Sequence, residues 1–381
     1  MKKKICVVTG TRADYGIYYP VLSKIKNDRD LQLSIVATGM HLMKEFGYTV
    51  KDIEEDGFKV NSRVDISYSK DTGEAMAYSV GQAVGKFAHV FNRIKPDIVV
   101  VLGDRGEMFA AAVAANYLNI PVAHIHGGEI SGHVDGILRH AITKLSHIHF
   151  AATRKSAERI ISMGEDRNRV YLVGAPALDR ILKSDYTSKK ELRDKYGFSD
   201  EKLILVIQHP VLSEIKEAAF QMKETMYAAV SFKLPVMVIY PNADAGGRQM
   251  IAVIKKYSKV PYVEIYKSIP HRDYLGVLRI ASVIVGNSSS AIIEAPSFNL
   301  PAVNIGSRQA GREQAANVIN VNCKKAKIKA AIKKSVYNRN LRESVKKCKN
   351  PYGNGTASDK IVKIISGVKF DLNLMQKRIT Y

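Results

Sequence analysis

The residues with the greatest chemical potential in this chain sit immediately after short apolar runs. Gly10-Thr11-Arg12-Ala13-Asp14 follows residues 5–8, and Leu102-Gly103-Asp104-Arg105-Gly106-Glu107 follows residues 98–101. His124-Ile125-His126-Gly127-Gly128-Glu129 comes next, with Asp135 and Arg139 close downstream. In the second half, Gln208-His209-Pro210, Pro241-Asn242-Ala243-Asp244, Gly286-Asn287-Ser288-Ser289-Ser290 and Gly306-Ser307-Arg308 occupy equivalent places. Carboxylates and imidazoles do proton transfer, while arginines and serine-rich helix starts hold anions, so the set reads as acid–base chemistry on a phosphate-bearing molecule.

Each cluster also has a plainer reading. The turn at residues 10–14 is an anion site if its N–H groups face outward, or a helix-capping turn if they do not. Asp104 and Arg105 are either delivered to a cleft or paired with each other internally. His209, at the tip of a strand, suits an acid, a base or a donor to phosphate. Residues 286–290 lead into a helix carrying Glu294, whose carboxylate can accept both hydroxyls of a ribose; a serine-rich cap without a ligand is the alternative. The serines lack the GxSxG elbow of a hydrolase nucleophile.

Six of the ten histidines fall between positions 124 and 149, which raises the question of a metal. His133, His140 and His147 are seven apart, roughly 10.5 Å along a helix, too far to share one ion. His124 and His126 would point to one side of a strand. No HExxH motif occurs, so no metal and no cofactor is expected, and some of these histidines are read as packing residues with satisfied ring nitrogens.

Positioning such residues takes strands that end at a common edge. Strand-like runs lie at residues 5–8, 33–38, 98–102, 122–125, 149–152 and 170–173, then at 203–207, 236–239, 263–265, 283–285 and 302–305. Continuous apolar strands alternating with helical segments imply parallel sheets covered on both faces. The polar, strandless stretch 179–200 breaks the series. The expected organisation is therefore α/β, with two doubly wound Rossmann-like domains facing a cleft. The N-terminal domain spans 1–180 and the C-terminal domain 181–365, and a tail or helix at 366–381 packs back on the first. The turn signal PYGNGT (351–356) precedes a helix able to tie the halves together.

At 381 residues the chain exceeds one ordinary core, and 46% hydrophobic with 25% charged residues is the composition of a soluble globular protein. No apolar run reaches the roughly 20 residues a bilayer requires, and the basic start at residues 1–4 lacks the apolar stretch of a signal peptide. Three scattered cysteines fit a reducing compartment. The reading is a cytoplasmic protein without a membrane partner. The net charge of +22 raises nucleic-acid binding. However, the basic stretch 324–349 interleaves its Lys and Arg with Ile328, Ile332 and Val336 at helical spacing, and its only aromatic is Tyr337. That is an amphipathic helix with a solvated face, so no nucleic-acid partner is expected.

Taken in order, GTRADYG, TGMH, LGDRGE, HIHGGE, VDGILRHAITKLSH, QHP, PNADAG, GNSSSAIIE and GSRQAGRE resemble the hydrolysing UDP-N-acetylglucosamine 2-epimerases, from about residue 4 to residue 365. The resemblance implies the two-domain fold of glycogen-phosphorylase-like glycosyltransferases (GT-B type). It also implies conversion of UDP-N-acetylglucosamine to N-acetylmannosamine and UDP, the entry step to sialic acid, by a homodimer or homotetramer. By the same resemblance Arg12, Asn242, Ser288, Ser289, Glu294 and Arg308 hold the nucleotide. Asp104, Arg105, Glu129, Asp135 and His209 surround the sugar and diphosphate. His126 stands where the animal branch has Glu, and Gly136 where it has a second Asp. Asp104 or Glu129 is then the base or charge stabiliser, His209 assists diphosphate departure, and Asp135 and His126 activate water and reprotonate the sugar. The same chemistry on UDP-N,N'-diacetylbacillosamine or GDP-N-acetylglucosamine is one alternative, and a retaining glycosyltransferase another.

Overall fold

A computed structural model describes residues 2–66, 72–132, 134–197 and 202–380. These form two parallel sheets. The first has seven strands: β1 (Lys3–Thr9), β2 (Leu31–Thr38), β3 (Val60–Val64), β4 (Ile98–Leu102), β5 (Val122–Ile125), β6 (Ile148–Ala151) and β7 (Val170–Leu172), in the order β3-β2-β1-β4-β5-β6-β7. The second has six: β8 (Leu203–Ile207), β9 (Val236–Ile239), β10 (Val263–Tyr266), β11 (Ala281–Gly286), β12 (Ala302–Ile305) and β13 (Val318–Val321), in the order β10-β9-β8-β11-β12-β13.

Strand alternation explains why both faces need helices. In β1, Ile5 and Val7 join one core cluster, and Cys6 and Val8 join the cluster on the opposite face. In β8, Leu203, Leu205 and Ile207 face one core, whereas Ile204 and Val206 face another. All five residues of β4 and all five of β8 are buried, as the unbroken apolar runs require.

In each sheet the strand order reverses once, between β1 and β4 and between β8 and β11. A doubly wound sheet opens a crevice at that switch, beyond the strand C-termini. The clusters after β1, β4, β8 and β11 therefore meet at one place. β3 and β13 were not anticipated; both are edge strands, and β3 alternates burial with exposure in place of a continuous apolar run.

The stretch 179–200 contains helices and no described strand, with Ala177–Leu182 and Lys189–Tyr196 helical. The basic stretch is two helices, Lys325–Tyr337 and Arg339–Lys346, broken at Asn338, which caps the second. The Ala357–Gly367 helix starts on Asp179, which accepts from the Ala357 and Ser358 amides (3.1 and 2.7 Å). It packs along the Arg12–Asn27 helix of the first half, where Lys24 pairs with Asp359. Beyond it the tail lies on the first half, its Leu374 carbonyl accepting from Arg169 (2.8 Å) and Lys377 reaching Glu165 (2.8 Å). Among the described residues, no helix is long and apolar enough to cross a membrane.

Candidate active site

The second half supplies a rigid histidine. His209 leaves the tip of β8, and Asn287, just past β11, holds its backbone at both ends. The His209 N–H donates to Asn287 Oδ1 (2.7 Å), and Asn287 Nδ2 donates to the His209 carbonyl (2.9 Å). The approach is possible because residue 286 is glycine: φ is 135°, and a Cβ there would lie 1.8 Å from the Ile207 carbonyl oxygen. The Asn242 amide donates to His209 Nδ1 (3.1 Å), which leaves the ring proton on Nε2. Burial, then the charges of Arg308 and Arg105, hold this imidazole well below its usual pKa, so it is a neutral Nε2–H donor.

The first half supplies carboxylates. Asp104 follows β4 and pairs with Arg139. Burial alone would raise its pKa, but Arg139, then Arg308, Arg312 and Arg105, outweigh that and keep it ionised. Asp135, in the first turn of the Val134–Leu145 helix, is bridged by Arg308 at 3.1 Å. Its pKa moves the other way: burial raises it, and the neighbouring Asp104 charge adds to the effect. Behind them Glu129 uses both oxygens. One pairs with His126 Nδ1, and the other accepts from Arg312 Nε (2.8 Å). Burial opposes ionisation of Glu129; Arg312 and His126 overcome it, and the carboxyl lies well below the usual range.

Between the halves is a cavity of about 250 Å³ whose walls include Arg12, Asp104, Arg105, His209, Asn242, Ser288, Ser289, Glu294 and Arg308. A second cavity of about 360 Å³ shares Asp104, Arg105 and Arg308 with it and adds Asp135. The sequence profile described as UDP-N-acetylglucosamine 2-epimerase matches residues 23–366. The chain belongs to that family. A UDP-N,N'-diacetylbacillosamine 2-epimerase (hydrolyzing) of Legionella pneumophila is 40% identical across 100% of both chains. A GDP/UDP-N,N'-diacetylbacillosamine 2-epimerase (hydrolyzing) of Campylobacter jejuni is 34% identical over 84% of each. In fold the chain matches the crystal structure of UDP-GlcNAc 2-epimerase from Neisseria meningitidis bound to UDP-GlcNAc, with TM-score 0.81 and 20% identity over 95% of this chain and 99% of that one. The two parallel α/β halves are thus the GT-B-like architecture of UDP-N-acetylglucosamine 2-epimerases.

Within this family member the expected residues divide into groups. Those named above line the main cavity, Asp135 lines the adjoining one, and His126 and Glu129 stand behind the carboxylates, held to the second half by Arg312. Three details refine the expectation. The amides of Gly10 and Thr11 both donate to the Asp14 carboxylate (2.9 Å each), so that turn is a capping box whose anion is built in. Arg12 faces the cavity while paired with Asp52. Glu294 lies just beyond a four-residue helix, Ser290–Ile293, buried and with its pKa raised by desolvation.

The histidine cluster is largely structural. β5 ends at Ile125, and His126 adopts φ 62°, so strand alternation no longer sets its direction relative to His124. His124 Nε2 meets the Gly103 carbonyl (2.7 Å), His147 Nδ1 accepts from Val122 N–H (3.1 Å), and His149 pairs with Glu165 (3.0 Å). The GlyGly pair serves packing: a Cβ at Gly128, φ 71°, would sit 2.3 Å from the Ser156 carbonyl oxygen. His133 lies outside the described residues. Among those described, no group of three His, Cys, Asp or Glu is placed to hold a metal.

Arg139 and Arg312 carry much of the site's charge balance, yet neither was assigned a role from sequence. Both were visible as arginines, but their partner Glu129 is remote from Arg312 in the chain, and a lone arginine gives no hint of its target.

Proposed function

We propose that the chain is a hydrolysing 2-epimerase of a UDP-linked 2-acetamido sugar, with UDP-N,N'-diacetylbacillosamine as the favoured substrate ahead of UDP-N-acetylglucosamine. The observation that carries the chemistry is the pair Asp104 and Asp135, whose surroundings drive their protonation in opposite directions at the edge of one cleft. Two carboxyls so separated are suited to be base and acid.

C2–H of an acetamido sugar is not acidic, because no carbonyl adjoins that carbon. Breaking C1–O first, with UDP leaving with the bonding pair, puts positive charge on C1 and the ring oxygen. C2 then loses its proton and a C1=C2 bond forms. Protonation of C2 from the opposite face, with hydroxide from water adding to C1, yields the inverted free sugar. The net reaction consumes one water.

In this reading, His209 Nε2–H and Arg308 stabilise the departing diphosphate, and ionised Asp104 stabilises positive charge or takes the C2 proton. Asp135, whose carboxyl holds its proton to higher pH, returns one. His126, backed by Glu129, activates water. Ser288, Ser289 and Glu294 hold the uridine diphosphate.

Two observations favour the diacetamido sugar: the 40% identity to the Legionella enzyme, and the wall of the second cavity. That wall presents Met76, Ala77, Val80, Leu138, Val211 and Leu212, apolar surface that suits a second acetamido methyl and a deoxygenated C6 better than hydroxyls. Incubation with each UDP-sugar and no acceptor tests the proposal. Release of UDP and free sugar, faster with the diacetamido donor, supports it; donors that stay intact until an acceptor is added favour a glycosyltransferase.

A further inference from the structure

A series of buried hydrogen bonds, joined through the residue Asn287, runs between the two halves from the His126 ring to the His209 backbone. On the first half, His126 Nδ1 meets Glu129, whose other oxygen accepts from Arg312 Nε (2.8 Å). Arg312 Nη1 donates to Gln309 Oε1 (2.8 Å), and Gln309 Nε2 donates to the Asn287 carbonyl (2.8 Å). The Asn287 side chain then grips the His209 backbone on both sides, 2.7 and 2.9 Å. His126, Glu129, Gln309 and Asn287 are at most 3% exposed. Among the described residues, His126 Nε2 is a buried ring nitrogen without a hydrogen-bond partner.

We propose that Gln309 and Arg312 are positioning residues that set His126 and His209 together when the halves close, an inference that rests on reading those histidines as proton-handling groups. The residue types fit the task. The Gln309 carboxamide accepts from Arg312 through Oε1 and donates to the Asn287 carbonyl through Nε2 at the same time. Only a guanidinium gives Nε and Nη2 to Glu129 while keeping Nη1 for Gln309; a lysine ammonium is a point charge without that fork. A contact that merely held the halves together would not need to end on the backbone of one histidine and on the Glu129 carboxylate that holds the ring of the other. The loop carrying both residues also has separate anchors on the first half: Gly132 N–H donates to the Arg308 carbonyl (3.0 Å), and Thr153 pairs with Glu313. Loss of Gln309 therefore leaves the halves joined.

The test uses the full-length protein labelled with ¹⁵N-histidine, with ring signals assigned through His126→Gln and His209→Gln. Gln309→Leu removes both links of the relay, and Gln309→Glu keeps the acceptor for Arg312 but sets a carboxylate against the Asn287 carbonyl. With Gln309→Leu, the ring signals of both histidines should shift; with Gln309→Glu, that of His209 should shift more. Signals that stay put, or a change confined to one histidine with Gln309→Leu, overturn the relay. In turnover, Gln309→Leu should lower kcat about tenfold and leave KM within about twofold, and combined with His126→Ala it should cost less than the product of the two single losses. Reductions that multiply, or a raised KM at constant kcat, contradict it. If the unmodified chain turns over no nucleotide sugar, the proposed function fails, and the ring signals still decide the relay.

Discussion

After β1, the turn at residues 10–14 gives the Gly10 and Thr11 amides to Asp14, and the Thr9 hydroxyl adds a third bond to the same carboxylate (2.8 Å). After β11, the turn at residues 287–290 has no acidic residue in its first helical turn, and Ser288, Ser289 and Ser290 line the cavity. Both follow a parallel strand at a switch point, and both read from sequence as places for a phosphate. In the first, the backbone amides already meet a carboxylate; in the second, the Ser290 amide meets the Ser288 hydroxyl (3.4 Å). A strand-to-helix turn is open to an external anion only where its backbone amides do not already meet a carboxylate, and the acid three residues after Thr11 is the readable sign that those of the first turn do.

Substitutions can break that contrast. The largest effect belongs to the second half: His209→Ala should lower UDP release by about 10²–10⁴-fold with the fold retained, and a near-normal rate would remove His209 from the site. In the first turn, Asp14→Ala orphans two amides and leaves the Thr9 hydroxyl only His41 Nε2 (3.1 Å). It should cost about 3 kcal/mol of stability, measured by denaturant unfolding, and a stable variant that had merely lost UDP affinity would reverse the contrast. Ser289→Ala should do the opposite. UDP binding by calorimetry weakens about fivefold, roughly 1 kcal/mol, with unfolding unaffected.

The smallest effect lies outside both turns. Burial disfavours the Glu165 anion, but hydrogen bonds from His149, Lys144 and Lys377 outweigh it and push the carboxyl down to about 2. Since this folded value is below the ordinary 4.5, the stabilisation is complete above pH 4.5 and is lost as pH falls from there towards 2. Glu165→Gln should therefore loosen the Lys377 tail at neutral pH and flatten acid sensitivity over that window, read by amide exchange in the tail, without altering UDP affinity.

The architecture was legible because β4, β8 and the other central strands are buried on both faces and so are written as unbroken apolar runs. The edge strands escaped notice: Val60–Val64 reads Val-Asn-Ser-Arg-Val, half exposed, and Val318–Val321 is short and only partly buried. Of the candidate site, the residues at strand tips could be placed, since topology dictates where tips converge. What could not be read was which charges neutralise one another. Asp104 meets Arg139, and Glu129 meets Arg312, across separations that no local pattern records. The direction of His126 was also hidden, because its left-handed backbone cancels the alternation on which the reading depended.

The proposed reaction couples nucleotide loss to inversion at C2. Proton NMR of the full-length protein with UDP-N,N'-diacetylbacillosamine in deuterated water, without an acceptor, follows both events in one sample. The predicted outcome is UDP and a free sugar of manno configuration carrying deuterium at C2. An intact donor, or a free sugar that keeps its gluco configuration and its C2 proton, would contradict it.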